Sequence, residues 1–279
     1  MYVDSYAADP AFVVYYSKGN ISKAGSKSIL KKGDHLQAKD QVVIGEGARL
    51  VLVCSNYQVI QLGKKGTYSV KNLTAQCNSK TAYSGAYFKY VWNELTHPHK
   101  KPEKDPEAFM KNVGAVSRGC NEVSLGMAFD TLQYFAGSLP IQWWAAYGKP
   151  AVALFDQPLD GAPLKTMPLA PGQPLQLSLL TRDLQPGIYY WQIVGEDGGN
   201  CERKYLQVWS NLTYTKTVQL LLQNVPVTSP AETAYASGFV MHENNFMAEA
   251  LRYYNQAAKL NPKNTVYKNA IKKFYETNF

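Results

Sequence analysis

No run of about 18 consecutive apolar residues occurs in this sequence, which excludes a membrane-spanning helix. The chain does not open with the charged and apolar regions of an export leader. A cytoplasmic protein and an exported protein whose leader has been cleaved both fit. Cysteine is scarce: Cys54, Cys77, Cys120 and Cys201 are the whole supply, and no two form a Cys-x-x-Cys pair. That excludes the usual structural zinc site. An even number permits disulfides, but with no close pair the expectation is that no disulfide is essential to folding. Cys54, inside an apolar run, reads as a buried free thiol.

Catalytic signatures are missing as well. No Gly-x-Ser-x-Gly and no dinucleotide fingerprint occurs. Lys64-Lys65-Gly66-Thr67 lacks the spacing of a phosphate loop and reads as a hairpin turn. Ser28-x-x-Lys31 stands without the partner motifs of penicillin-recognising enzymes. Glu196 to Asn200 has neither the spacing nor the final glutamate of an EF-hand loop and reads as a hairpin. His97-Pro98-His99 has no third ligand near it, so an ordinary solvated pair is expected. No catalytic residue, cofactor or metal is assigned.

The formal charge is +8, from 29 basic and 21 acidic residues, and most of the excess is lysine. It lacks the dense Arg/Lys stripe with interleaved aromatics of a nucleic-acid binder. What remains is a weak attraction to acidic partner surfaces or anionic lipid, consistent at most with peripheral membrane contact.

With 46% hydrophobic and 18% charged residues, the chain is globular rather than disordered, and its length allows two or three domains. The stretch Gly33 to Tyr68 organises the first. Short runs of Val, Ile and Leu are cut at regular intervals by Lys-Gly-Asp, Gly-Glu-Gly, Ser-Asn and Gly-Lys-Lys-Gly, which is the chemistry of strands joined by tight turns. Phe12 to Tyr16 forms a first strand. Later strands are expected near 35–38, 41–44, 48–53, 58–62 and 67–70.

The elements Gly33-Asp34-x-Leu36, Asp40-x-Val42-Val43-Ile44-Gly45 and Gly47-Ala48-x-Leu50-x-Leu52, with Leu62 and Tyr68, resemble the FecR-type domain. Across residues 12–73 the resemblance implies an all-β module of a bacterial envelope protein that serves in signalling or scaffolding. It favours an exported, periplasmic or outer-membrane-associated location over a cytoplasmic one.

Residues 74–134 combine an aromatic segment (Tyr83, Tyr87, Phe88, Tyr90, Val91, Trp92) with a proline- and lysine-rich linker, His97 to Pro106, that suits neither helix nor central strand. From 135 the pattern returns to strands at Ile141–Trp144, Ala151–Phe155, Leu175–Leu179, Gly187–Val194 and Tyr205–Trp209. Pro186-Gly187-Ile188-Tyr189-Tyr190-Trp191 resembles an element of bacterial immunoglobulin-like sandwiches. Residues 211–230 read as a last strand or a connector. Gly238, Ala250, Tyr254, Ala257 and Pro262 resemble a tetratricopeptide repeat: small residues let two helices approach, Tyr254 fills the groove, and Pro262 ends the second helix. Asn264 to Phe279 reads as a further amphipathic helix.

The expected architecture is therefore mainly β with a C-terminal α-helical hairpin: a FecR-like β-domain (1–73), a linker segment (74–134), an immunoglobulin-like sandwich (135–230) and tetratricopeptide-like helices (231–279). The function this implies is a non-enzymatic scaffold or interaction component of a cell-envelope assembly, or a relay of a signal within it. Its partners would be other envelope proteins or a second copy of the chain, not nucleic acid. A lone helical hairpin buries too little surface to stand by itself, so its second face must meet something. Phe246 and Tyr253, close to the small residues, are the candidate partner-binding anchors. The alternative is a carbohydrate or small-ligand module built on Trp143, Trp144, Tyr147, Tyr189, Tyr190 and Trp191.

Overall fold

A computed structural model describes residues 10–26, 28–78, 89, 123–125, 130–145, 148–195, 203–223 and 225–278. The chain divides into two units, one of residues 1–109 with 224–228, the other of residues 110–223 with 229–279.

In the first unit, β1 (Phe12–Lys18), β3 (His35–Leu36), β5 (Arg49–Cys54) and β6 (Val59–Leu62) form one antiparallel sheet in the order β3-β1-β5-β6. A second sheet, β2-β4-β7, comprises Ile21–Lys23, Gln41–Ile44 and Gly66–Ser69. Alternation directs Val14, Leu50, Leu52 and Leu62 from the first sheet, and Ile21, Val42 and Ile44 from the second, into one shared core. Alternating side chains point to opposite faces of a strand, so this register is set wherever one face is buried. The turn after β1 depends on Gly19. Its φ is +90°, and an added Cβ would lie 2.9 Å from Ala48, so any side chain there meets backbone strain and a clash together. A short helix, α1 (Val70–Thr74), and a 3-10 turn (Ala75–Asn78) close the unit, burying Val70 and Leu73.

The cysteine expectation is corrected here. Cys54 and Cys77 form a disulfide with Cα atoms 6.2 Å apart, within the usual span for such a bond. Cys54 is therefore not a free thiol. The two residues are 23 apart in sequence, and the 3-10 turn after α1 brings Cys77 back to the end of β5. Cys120 and Cys201 lie outside the described residues, as do the 79–88 and 90–122 stretches that contain most of the aromatic segment and the linker.

The second unit is built on a five-stranded sheet, β13-β12-β15-β16-β9. Its strands are Lys165–Pro168, Ala151–Phe155, Gly187–Val194, Lys204–Val208 and Thr131–Tyr134. All neighbours are antiparallel except β16 and β9. Two small pairs accompany it, β10 (Pro140–Ile141) with β14 (Leu175–Gln176), and β8 (Val123–Leu125) with β11 (Trp143–Ala145). The run Leu175–Leu179 is not one strand. Two residues pair, and Leu177–Leu180 turns into α2, burying Leu177 and Leu180.

Helix also begins earlier than expected. Asn211–Leu222 is α3, not a strand or connector, and its start is fixed by Ser210, whose hydroxyl accepts from the Thr213 amide. A serine at this position satisfies one of the free amides of the first turn. Three helices follow: α4 (Pro230–Glu243), capped by Ser229 with proline at its start, α5 (Met247–Leu260) and α6 (Thr265–Asn278). The chain is thus a mixed β and α protein, and among the described residues the longest helices lie at the C-terminal end.

Candidate interaction surface

The αα-hairpin of α4 and α5 closes as the residue spacing predicts. A Cβ on Gly238 would meet Tyr254 Cδ1 at 2.7 Å and the Ala250 carbonyl at 3.2 Å, so glycine is what lets the helices approach. Ala250, Tyr254 and Ala257 are buried. Tyr235, Tyr254, Tyr267, His242 and Phe274 pack edge-on and tilted around them. Two polar contacts accompany this packing, the first half-buried and the second buried. The Tyr267 hydroxyl donates to Glu232 Oε2 at 2.6 Å, and Tyr254 meets His242 Nδ1 at 3.4 Å.

The second face of the hairpin meets the sheet of its own unit. The Gln133 amide on β9 donates to the Asn245 carbonyl at 2.9 Å. Phe246, the residue before α5, packs against Trp209 and Tyr214 at ring distances of 5.6 and 5.9 Å. The Trp209 indole donates to the Gln133 side chain at 2.6 Å. Phe246 is thus core, 2% exposed, and cannot anchor a foreign partner directly, because a contact needs surface that the native fold leaves open. Tyr253 is half-buried with the Arg252 guanidinium 5.0 Å from its ring, so of the two anchors expected from sequence it alone reaches the surface.

Sequence reasoning missed Glu249. It lies in the first turn of α5 and is 2% exposed, and neither carboxylate oxygen makes a hydrogen bond of ordinary geometry. Burial raises its pKa to about 7, against the opposing pull of its own amide, the amides of Phe135 and Ala136 and the Arg252 charge. Burial alone raises Glu243 to about 7 as well. Desolvation disfavours the charged form, which moves an acid upward. A glutamate at helical spacing among alanines carries no sequence mark of burial.

The outward stripe of α5 and α6 is polar and basic. Arg252, Gln256 and Lys259 on α5 and Lys268 and Lys272 on α6 are exposed. From Ala250 onward the sequence holds Arg252, Lys259, Lys263, Lys268, Lys272 and Lys273 against Glu276 alone. Such a surface attracts acidic groups at a distance and holds them weakly in salt.

The aromatics expected to stack on sugar are dispersed. Trp191 is fully buried, Tyr190 meets Tyr205 edge-on at 84°, and Trp144 is 61% exposed. Trp143 donates its indole N–H to the Gln173 carbonyl. Tyr147, His97, His99 and Glu196 to Asn200 lie outside the described residues. Gly66 opens β7 after the Gly63-Lys64-Lys65 turn. Among the described residues no group of three His, Cys, Asp or Glu side chains is placed to hold a metal, and no helix is long and apolar enough to cross a membrane. No protein-family model and no curated protein matches the chain.

Proposed function

We propose that the chain is a non-enzymatic interaction component of a bacterial cell-envelope assembly, with a FecR-like β-domain, an immunoglobulin-like sheet domain and a tetratricopeptide-like helical hairpin. The observation that carries the reading is the docked hairpin. Its inner faces are occupied by aromatic packing and by the sheet, while α5 and α6 present a pre-ordered basic stripe with Tyr253 beside it. A surface held in shape before contact loses less entropy on binding. The Cys54–Cys77 disulfide supports the envelope location, because such bonds persist in oxidising compartments and are rare in reducing ones.

Two measurements test this. Alkylation of thiols in intact cells before lysis should leave Cys54 and Cys77 unmodified; modification of both would overturn the envelope location. Size fractionation of an envelope extract should place the protein in a complex larger than itself, and Lys259→Glu with Lys268→Glu should release it with an unchanged melting temperature. An unchanged elution position for this variant would overturn the assignment of the surface.

A further inference from the structure

The loop between β12 and β13 is exposed throughout, Asp156 to Leu164. Leu159 at its tip is 82% exposed and Leu164 is 55% exposed, yet the loop is built to hold one shape. Its closing end is fixed by the Leu164 amide, which donates to the Leu154 carbonyl at 2.7 Å. Arg203 holds the rest. Its guanidinium stacks 3.4 Å over the Phe155 ring and donates to the carbonyls of Gln157 and Asp160 at 2.8 Å and of Gly161 at 3.3 Å. Pro158 and Pro163 restrict the backbone further. Three donors of one arginine organise a segment that buries nothing of its own, and ordering before contact lowers the entropy cost of docking.

Charge narrows the occupant. Asp156 and Asp160 flank Leu159, and Arg203 is already committed to the ring and the three carbonyls. Arg203 keeps its positive charge, so the two aspartates leave the loop with a slight negative excess, which offers an anionic lipid surface or a polyanion no attraction. The fitting surface has an apolar centre and a basic rim, and the chain carries one. At the corner between α5 and α6, Leu260 is 49% and Val266 37% exposed, with Lys259, Lys263 and Lys268 exposed around them. The acidic residue of α6, Glu276, lies a further two turns along and is paired with Lys272 at 3.4 Å.

We propose that the chain associates head to tail with a second copy of itself, the Asp156–Leu164 loop of one copy seating on the α5–α6 corner of the next. This rests on the reading of the chain as an interaction component and names the partner. The two patches differ, so the contact is heterologous and leaves a free loop at one end and a free corner at the other, unless the rotation closes a ring.

Sedimentation velocity of the intact protein over a concentration series tests it. The wild type should associate as concentration rises, and less in high salt. Leu159→Asp, and separately Lys259→Glu with Lys263→Glu, should each weaken association at least about tenfold, which is about 1.4 kcal/mol. Both patches are exposed, so circular dichroism of the variants should match the wild type. Mixed in equal amounts, the two variants should form a dimer and nothing larger, because each retains the patch that the other lacks. A wild type that stays monomeric throughout, association unchanged in either variant, or no dimer from the mixture overturns the proposal. The envelope reading would then stand with a foreign partner, since thiol alkylation tests it independently.

Discussion

The two units meet the problem of stability by different routes. In the first, two sheets enclose a core of Phe12, Val14, Ile21, Leu36, Val42, Ile44, Leu50, Leu52 and their neighbours, and a disulfide ties the end of β5 to the closing turn. The second seals ionisable and polar groups inside. Lys204 is 6% exposed and pairs with Asp130 at 2.6 Å, His242 and Glu249 are buried, and the Trp191 indole N–H is sealed without an acceptor. A small β-unit gains from a cross-link because its core is limited. A larger helix-on-sheet unit can carry groups whose burial costs free energy. The first unit should therefore respond to loss of the Cys54–Cys77 bond, and the second should gain stability on mild acidification.

The largest effect expected from breaking this contrast is on the cross-link. Replacing Cys54 and Cys77 by serine, or reducing the bond, should cost the first unit about 3 kcal/mol, from the closure entropy of a loop of this length. Calorimetry should show one transition move down while the transition of the second unit stays in place. A shift of both would mean that the contrast is false.

Next comes pH. Glu249 has its folded pKa raised from 4.5 to about 7, so the folded state binds a proton more readily than the unfolded state. Its stabilising contribution is fully present below about pH 4.5 and is lost as pH rises through 7. The second unit should gain about 2 kcal/mol on acidification from pH 8 to pH 5, with Glu243 adding in the same direction. Glu249→Gln should flatten much of that slope in thermal melts, and an unchanged slope would remove Glu249 as its source.

A smaller loss is expected from Gly238→Ala. The gain in helix propensity, about 1 kcal/mol, is outweighed by the clash with a fully buried Tyr254 ring, for a net cost of about 1–2 kcal/mol. Ser229→Ala removes the hydroxyl that accepts from the Glu232 amide at 3.3 Å at the start of α4 and should cost about 1 kcal/mol. Both should lower the second transition only, as measured by denaturant midpoints.

The strands of the first unit were legible because period-two alternation and glycine turns are local signals. The expected runs 41–44, 48–53, 58–62 and 67–70 match β4, β5, β6 and β7 to within one residue. The close approach at Gly238 was legible because a small residue opposite an aromatic one has few other uses at that spacing. The α3 helix was missed: threonines, a tyrosine and an exposed apolar run, with Leu212 and Leu220 both over 60% exposed, show no helical stripe. The role expected of Phe246 failed for a related reason. An aromatic residue looks the same in sequence whether it anchors a partner or its own sheet, and the neighbours that decide, Trp209 and Tyr214, are remote along the chain.

By itself the sequence determined the element types wherever periodicity was strong, the position of the hairpin and the basic character of its outer stripe, because these depend on residues within a few positions of one another. Only the tertiary structure decided that Cys54 meets Cys77, that Glu249 is sealed from water, and that Arg203 reaches across to shape the Asp156–Leu164 loop. Each of these depends on groups brought together from distant parts of the chain, and burial and charge act through the distances the fold creates.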